Sequence, residues 1–309
     1  MKQSDTKQID RARMLRAMLA ANKPLVVPGV HDGLSARLVQ ASGFHAAFVS
    51  GAGVSMARLG QADLGFLTIS EMCDTVRAIG FACSLPLIVD IDTGYGNAHN
   101  AAQAVRQLER AGACALQMED QTFPKRCGHL AGKSVIPGHE MAAKIRAASA
   151  ARSNPDTLII ARTDALAVTG LDDALARCEL YLGAGADVLF VEAPRSVADM
   201  KAIAAHVAGR APLVHNFVEG GKSPVTDASD LSELGYKIAL FPLVSLHAGV
   251  PAQMSILHHL NATGRTRDWS GLIADLHTLN QSVGLDKLLS TSQLYASDAS
   301  DASDAPEAT

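Results

Sequence analysis

Residues 111–119, AGACALQME, join the end of a predicted helix directly to a predicted buried strand. Glycine is the residue that most often ends a helix in the left-handed conformation, and the apolar run after Gly112 has the length of a strand. The same arrangement recurs at three other places, residues 42–50 (SGFHAAFVS), 184–192 (AGADVLFVE) and 234–242 (LGYKIALFP). The chain therefore alternates helices with strands, as α/β proteins do.

Four further apolar runs, KPLVVPG, LPLIVDID, TLIIART and APLVHN, complete a set of eight predicted strands, centred near residues 26, 48, 88, 117, 160, 190, 214 and 239. None alternates strictly between apolar and polar residues, which is typical of parallel strands buried on both faces. Amphipathic segments such as 100–111, 140–152 and 171–183 separate the strands. Eight β/α units predict a (β/α)8 barrel of the TIM type, and a doubly wound open sheet is the alternative.

The domain prediction is one barrel with its C-terminal helices over residues 1–289. Residues 244–289 exceed what one final barrel helix needs, so we expect them to pack against another subunit. Residues 290–309 are predicted to be a disordered tail, because their Ala-Ser-Asp repeat has little apolar surface to bury.

Composition and charge indicate which partners and which cellular compartment to expect. A formal charge of −4 and a pI of about 6.2 argue against nucleic-acid or membrane-surface partners. The charged N-terminus lacks a signal-peptide core, and no apolar run approaches the roughly 18 residues that span a membrane, so we expect a cytoplasmic protein. Five cysteines without a C-x-x-C pair favour neither a disulfide framework nor structural zinc.

Polar side chains end most of the predicted strands: Ser50, Asp90 with Asp92, Glu119, Arg162, Glu192 and Asn216. Polar residues also end strands simply because loops are wet. Several strands of this chain end in a charged or amide side chain, which favours a functional site over this simple explanation. A barrel brings such side chains to the rim, where barrel enzymes have their active sites.

Asp90-Ile91-Asp92 is the clearest indication of a metal site. Two carboxylates at one strand end suit Mg²⁺, which takes one or two carboxylates directly and keeps several waters that Glu119 can bind. An Asx turn or a helix cap is the structural alternative for this pattern.

Residues 124–129, PKRCGH, place Cys127 between cations. Neighbouring cations lower the pKa of a thiol from its usual value of about 8.5, so Cys127 is interpreted as an acid/base or nucleophilic group. A transition-metal site formed with His129 is the alternative. Gly128 and Gly132 predict a mobile loop over the rim at residues 122–134.

In order and spacing, SGAGVS, DIDTGYGN, EDQTFPKRCGH, ARTDA and VEAP resemble motifs of the isocitrate lyase and phosphoenolpyruvate mutase superfamily, over roughly residues 10–285. The KRCGH segment resembles the carbon–carbon lyase branch. The resemblance implies a barrel whose eighth helix is exchanged between subunits, a homotetramer built as a dimer of dimers, Mg²⁺ with Mn²⁺ as a possible replacement, and a small dicarboxylate substrate.

The resemblance also implies residue roles. Asp90 contacts the metal, while Asp63, Asp92 and Glu119 hold its waters. The residues implied to bind substrate are Ser50, Gly51, Ala52, Gly128, Glu192, Asn216 and Pro242. Arg162 clamps the α-oxy acid, Cys127 protonates the departing carbanion, and Lys125 and His129 complete the catalytic set.

Three departures narrow the implied substrate. Methylisocitrate lyases carry tyrosine at the position of Phe48 and arginine at that of Leu279, while oxaloacetate hydrolases carry serine at that of Pro242. We therefore expect cleavage of a 2,3-dimethylmalate-like alkylmalate to pyruvate and a short carboxylic acid. The alternatives are an oxaloacetate hydrolase, a methylisocitrate lyase, or a barrel that only binds a dicarboxylate.

Overall fold

The computed structural model of the chain describes residues 3–128, 132–221 and 223–301. Eight parallel strands close into a barrel in chain order: β1 Leu25–Val30, β2 Ala47–Val49, β3 Leu87–Asp90, β4 Ala115–Glu119, β5 Leu158–Thr163, β6 Val188–Val191, β7 Leu213–Asn216 and β8 Ile238–Phe241. The (β/α)8 prediction is confirmed, and the sheet is not the open, doubly wound alternative.

The helices of the first 251 residues are α1 Gln3–Leu19, α2 Gly33–Ala41, α3 Gly51–Val54, α4 Ile69–Ala82, α5 Ala98–Ala111, α6 Gly138–Ala151, α7 Ala165–Val168, α8 Leu171–Gly183, α9 Val197–Val207 and α10 Asp230–Glu233. A π-helical turn, Ser55–Leu59, follows α3. In the described ranges, no helix combines the length and the hydropathy that crossing a bilayer requires.

The chain forms two compact units, residues 1–251 and 252–309. Helix α11, Val244–Thr263, crosses the boundary, and the second unit also contains α12 Leu276–Ser282 and α13 Leu285–Asp301. The predicted domain 1–289 thus comprises the barrel and part of the second unit. Residues 290–301 lie in α13, although their serines, threonine and aspartates have low helix propensity, and the disordered tail over residues 290–309 stays a prediction. Residues 302–309 of that tail lie outside the described residues.

The turn from α5 to β4 shows how local chemistry sets the alternation. Gly112 adopts φ +116°, and its amide donates to the carbonyls of Leu108 and Glu109, which ends the helix. Two residues later the amide of Cys114 donates to the carbonyl of Leu87 in β3, so the chain joins the sheet at once. A residue with a Cβ is strained at this φ, which explains why glycine stands there.

Alternation along each strand divides the core into two layers. Ala115, Leu158 and Ile160 belong to the cluster inside the barrel, whereas Leu116 and Ile159 pack in the layer between strands and helices. Side chains two residues apart share a face, so Glu119 and Arg162 continue the interior stacks toward the C-terminal rim. The interior thus changes from apolar to charged where the strands end.

Gly29 lies in β1, against the backbone of the residue that follows β8. A Cβ at this position would lie 1.8 Å from the carbonyl oxygen of Pro242, which is backbone and has little freedom to move. We expect Gly29→Ala to destabilise the fold by about 1–3 kcal/mol through overpacking, measured as a lower Tm and a lower denaturant midpoint. Gly183→Ala, with no atom within 4 Å of the new Cβ, is the control. Equal Tm values for both variants would contradict the prediction.

Candidate active site

A cavity of about 50 Å³ lies at the C-terminal ends of the strands. Its walls contain most of the predicted site residues: Ser50, Ala52, Asp63, Asp90, Lys125, Cys127, Gly128, Arg162, Glu192, Asn216 and Pro242. Gly51, Asp92 and Glu119 lie beside the cavity without lining it, and His129 lies outside the described residues. The structure therefore brings most of the predicted site residues to one cavity at the rim.

Asp90 and Asp92 approach one another beside Gly51. A Cβ at Gly51 would meet Asp90 Oδ2 at 3.1 Å and Asp92 Oδ1 at 3.3 Å, so both carboxylates border the same small space. Asp90 ends β3, whereas Asp92 lies in the following turn at φ +48°. The predicted convergence of the two side chains is present, and a strained turn residue takes part in it.

Lys125 places its ammonium among these carboxylates. Its Nζ lies 2.5 Å from Asp63 Oδ1 and 2.7 Å from Asp92 Oδ1, and its side chain is 4% exposed. Burial lowers the pKa of Lys125, but the carboxylates of Asp92 and Glu119 outweigh it and raise that pKa well above the usual range. Burial raises the pKa of Asp92 to about 6, against the opposing effect of Lys125.

The acidic cluster consists of Asp63, Asp90, Asp92 and Glu119, and its carboxylate oxygens are the ligands that a hard divalent cation prefers. Within the described ranges no three His, Cys, Asp or Glu side chains form a ready-made metal cage. Mg²⁺ does not require one, because it binds through one or two carboxylates and retains waters. Glu119 Oε1 is buried without a hydrogen-bond partner among the described residues, and an ordered water is a suitable group to satisfy it. The oxygens of Asp90, Asp92, Asp63 and Glu119 therefore fit the implied magnesium.

Arg162 is a buried cation that lines the same cavity and contacts Glu119 of the acidic cluster. Its Nε lies 2.9 Å from Asp164 Oδ2 and 3.2 Å from Glu119 Oε2, and its guanidinium lies over the Phe190 ring at 5.2 Å. The second bond to Asp164, from Nη2 to Oδ1 at 3.1 Å, makes the pair bidentate. A guanidinium fixed in this way is well suited to bind a carboxylate.

Asp164 is a site residue that the sequence prediction missed. Burial tends to raise its pKa, but Arg162 and Lys133 lower it below the usual value, so the carboxylate is charged. The residue follows Arg162 by two positions, the same spacing that drew attention to Asp90 and Asp92. The sequence therefore contained an indication of its role.

Cys127 differs from the other cysteines in exposure. It is partly exposed at the cavity, whereas Cys73, Cys83, Cys114 and Cys178 are buried, as their apolar contexts predict. Burial raises the pKa of Cys114 to about 11 and that of Cys178 to about 12, which makes both unreactive. Cys127 is thus the cysteine that is accessible for chemistry.

The segment that carries Cys127 is held close to Arg162. A Cβ at Gly128 would lie 2.2 Å from Arg162 Nη2 and 2.6 Å from Glu192 Oε1, so glycine is needed for this approach. Gln121 Oε1 accepts a hydrogen bond from the Arg126 amide at 3.1 Å, and Gln121 Nε2 donates one to the Arg126 carbonyl at 2.8 Å. These two bonds fix the start of the loop. The predicted mobility of residues 122–134 stays a prediction, and residues 129–131 lie outside the described residues.

The remaining predicted residues have identifiable positions. Ser50 caps α3, and its Oγ accepts the amide of Gly53 at 3.1 Å. Asn216 ends β7, and its buried Oδ1 has no hydrogen-bond partner among the described residues. Pro242 follows β8 beside Leu240, and both line the cavity with Phe48. Leu279, the position compared with the arginine of methylisocitrate lyases, lies in α12 of the second unit.

The amino-acid sequence is similar to those of known enzymes. The sequence profile of the phosphoenolpyruvate phosphomutase family matches residues 15–250. The 2,3-dimethylmalate lyase of Eubacterium barkeri is 38% identical over 288 residues, which cover 93% of this chain and 99% of that protein. The 2-methylisocitrate lyase of Aeropyrum pernix is 41% identical over 255 residues, 82% of this chain and 81% of that protein.

Solved structures show the same similarity in three dimensions. Oxaloacetate acetylhydrolase with the inhibitor 3,3-difluorooxalacetate superposes with a TM-score of 0.88 at 34% identity, covering 93% of this chain and 98% of that one. Phosphonopyruvate hydrolase in complex with oxalate and Mg²⁺ gives a TM-score of 0.83 at 30% identity, covering 93% and 99%.

Proposed function

Because the chain belongs to the phosphoenolpyruvate mutase/isocitrate lyase superfamily, we propose that it is a Mg²⁺-dependent carbon–carbon lyase for a 2,3-dimethylmalate-like alkylmalate. The products are pyruvate and a short carboxylic acid such as propionate. The observation that carries the proposal is one cavity lined by Asp90 of the acidic cluster, by the buried Arg162 and by the accessible Cys127.

Each end of the substrate has a matching group in this cavity. Arg162, fixed by Asp164, binds the carboxylate of the α-oxy acid, and the region of Ser50, Gly51 and Ala52 supplies hydroxyl and amide donors. Glu192 and Asn216 face the other end of the substrate. These contacts hold the bond between the two substituted carbons between the clamp and Cys127.

Asp90 would hold Mg²⁺ directly, and Asp63, Asp92 and Glu119 would hold it through waters. The bound ion would supply positive charge that polarises the α-oxy acid and stabilises negative charge on its oxygens. The substrate hydroxyl gives its proton to a carboxylate of the acidic cluster, for which Glu119, whose Oε1 has no hydrogen-bond partner among the described residues, is the available group. The resulting alkoxide becomes the carbonyl of pyruvate as the adjacent carbon–carbon bond breaks, and the electron pair of that bond moves into the departing fragment as an enolate. The Cys127 thiol then donates its proton to that carbon, which completes the carboxylic acid product. Mn²⁺ is the possible replacement because it accepts the same oxygen ligands.

The apolar wall supports an alkylated substrate. Phe48, Leu240 and Pro242 line the cavity and offer no side-chain donor. Proline at 242 supplies neither a hydroxyl nor an N–H for a hydrated ketone, which disfavours oxaloacetate. Methylisocitrate carries a third carboxylate, and burying it without a cation is costly.

A side-by-side substrate comparison tests the proposed function. With Mg²⁺ present, we expect kcat/KM for 2,3-dimethylmalate to exceed that for methylisocitrate and for oxaloacetate by about 10²-fold or more, the scale set by unpaired polar groups. A chelator should abolish turnover, and added Mg²⁺ should restore it.

The other outcomes are equally specific. A preference for oxaloacetate would show that the chain is an oxaloacetate hydrolase, an outcome that the similarity to oxaloacetate acetylhydrolase favours. A preference for methylisocitrate would show that another cation meets the third carboxylate. Binding without turnover of any compound would assign the chain a dicarboxylate-binding role and refute the lyase.

The proposal extends to assembly and compartment. Large apolar side chains are exposed on the second unit, among them Leu272 at 100%, Leu276 at 74% and Tyr295 at 71%. Apolar surface of this kind favours burial against another copy, and we propose a homotetramer made of two helix-exchanged dimers. Cys73, Cys83, Cys114 and Cys178 are buried and not joined in disulfides, which supports a reducing, cytoplasmic setting.

A further inference from the structure

Lys133 is a buried lysine that joins two parts of the candidate active site. Its Nζ donates to Asp164 Oδ1 at 2.6 Å and to the carbonyl oxygen of Gly128 at 2.7 Å. The Lys133 side chain is 4% exposed and the Asp164 side chain is fully buried. Burying an ammonium without such partners costs free energy. Losing either contact would therefore destabilise the buried position of the Lys133 side chain.

The carboxylate that Lys133 contacts is the one that orients Arg162. Asp164 Oδ1 accepts from both Lys133 Nζ and Arg162 Nη2, while Oδ2 accepts from Arg162 Nε. One carboxylate thus fixes two cations, and a change at Lys133 alters the group that positions the guanidinium.

Asp164 is itself held from below the rim. Its amide donates to Asp120 Oδ1 at 2.9 Å. The other oxygen of Asp120 accepts from Arg177 Nη1 at 3.1 Å and from the Tyr181 hydroxyl at 2.6 Å. These bonds link Asp164 to α8, so it is a fixed point against which Lys133 and Arg162 are placed.

The second contact of Lys133 acts on the segment that carries Cys127. Its bond to the carbonyl of Gly128 lies at the point where this segment approaches Arg162 and Glu192 too closely for a Cβ. The bond therefore limits the distance between Gly128, the residue after Cys127, and the guanidinium.

We propose that Lys133 is a positioning residue that keeps Cys127 in register with Arg162, through Gly128 on one side and Asp164 on the other. The inference rests on the proposed function, in which Arg162 binds the α-oxy acid and Cys127 delivers the proton. Lys125 has a different task, because its ammonium contacts Asp63 and Asp92 of the acidic cluster.

Lys133→Met, Lys133→Arg and the exposed control Lys201→Met test the proposal with two readouts. The first is amide hydrogen exchange of residues 122–128 without substrate. The second is the separation of kcat from KM for the best substrate. We expect Lys133→Met to speed exchange of this segment at least fivefold and to lower kcat at least 30-fold, with a smaller change in KM. Lys133→Arg should recover kcat to within tenfold of wild type, and Lys201→Met should match wild type.

Unchanged exchange of residues 122–128 in Lys133→Met would overturn the proposal whatever the turnover. Equal kcat losses in the Met and Arg variants that follow a common fall in Tm would overturn it as well, because they would show a role in stability alone. If Lys133→Met does not fold, Asp164→Asn replaces it, and the same acceleration of exchange is expected. If wild type cleaves no compound of the panel, the proposed function fails, while the exchange experiment still decides whether Lys133 holds the segment.

Discussion

Cys127→Ser is expected to lower kcat by about 10³-fold, within the range that general acids contribute, while substrate affinity changes only a few-fold. Serine has nearly the same size as cysteine, so the cavity wall is preserved. Its hydroxyl is a much weaker acid than a thiol, whose usual pKa is about 8.5, and it cannot readily protonate the enolate. Steady-state kinetics and the affinity for oxalate measured by calorimetry separate the two effects.

Cys73→Ser is the matched control for this substitution. Cys73 is buried and does not line the cavity, so its replacement by serine changes a cysteine without touching the site. We expect this variant to keep kcat within a few-fold of wild type. Near wild-type turnover by Cys127→Ser would mean that another group supplies the proton.

Arg162→Lys is expected to lower kcat/KM by about 10²- to 10³-fold, because hydrogen bonds that involve charged groups contribute about 1.5–3 kcal/mol each and every 1.4 kcal/mol is a factor of about ten. Lysine keeps the positive charge but cannot donate from Nε and Nη2 together, so the bidentate pairing with Asp164 is lost. The same change should weaken oxalate binding, since the clamp acts on the α-oxy acid. Kinetics and calorimetry measure the two losses.

Arg146→Lys, on the exposed face of α6, controls for a general effect of replacing arginine by lysine. It should leave both quantities unchanged. If Arg162→Lys raises KM for no substrate and binds oxalate normally, Arg162 is not the carboxylate clamp and the proposed orientation of the substrate is wrong.

The strand ends were predictable because they depend on local periodicity. Eight short apolar runs, four of them directly after a helix-ending glycine, located all eight strands, and the residue that ends such a run must lie at the rim once the strands are parallel. Asp90, Glu119, Arg162 and Asn216 follow from this rule alone. Gln117 was overlooked, although it lies two residues before Glu119 and therefore shares its face.

Loop contacts were not predictable to the same degree. Lys125 lies among carboxylates from other parts of the chain, and no spacing in the sequence indicates which of the loop cations turns inward. Lys133 likewise meets Asp164 across 31 positions of sequence. These distances depend on how the loop after β4 folds back over the rim, which local propensity does not specify.

The sequence by itself determined the alternation of strands and helices, the barrel, and the polar character of its rim, because each depends on the chemistry of residues near one another in the chain. Only the tertiary structure decided that Asp164 holds both Arg162 and Lys133, and that Gly128 packs against the guanidinium. The reason is physical: the curvature of a closed barrel and the path of its loops set which charges from distant segments are buried together. Once buried, those charges must be paired.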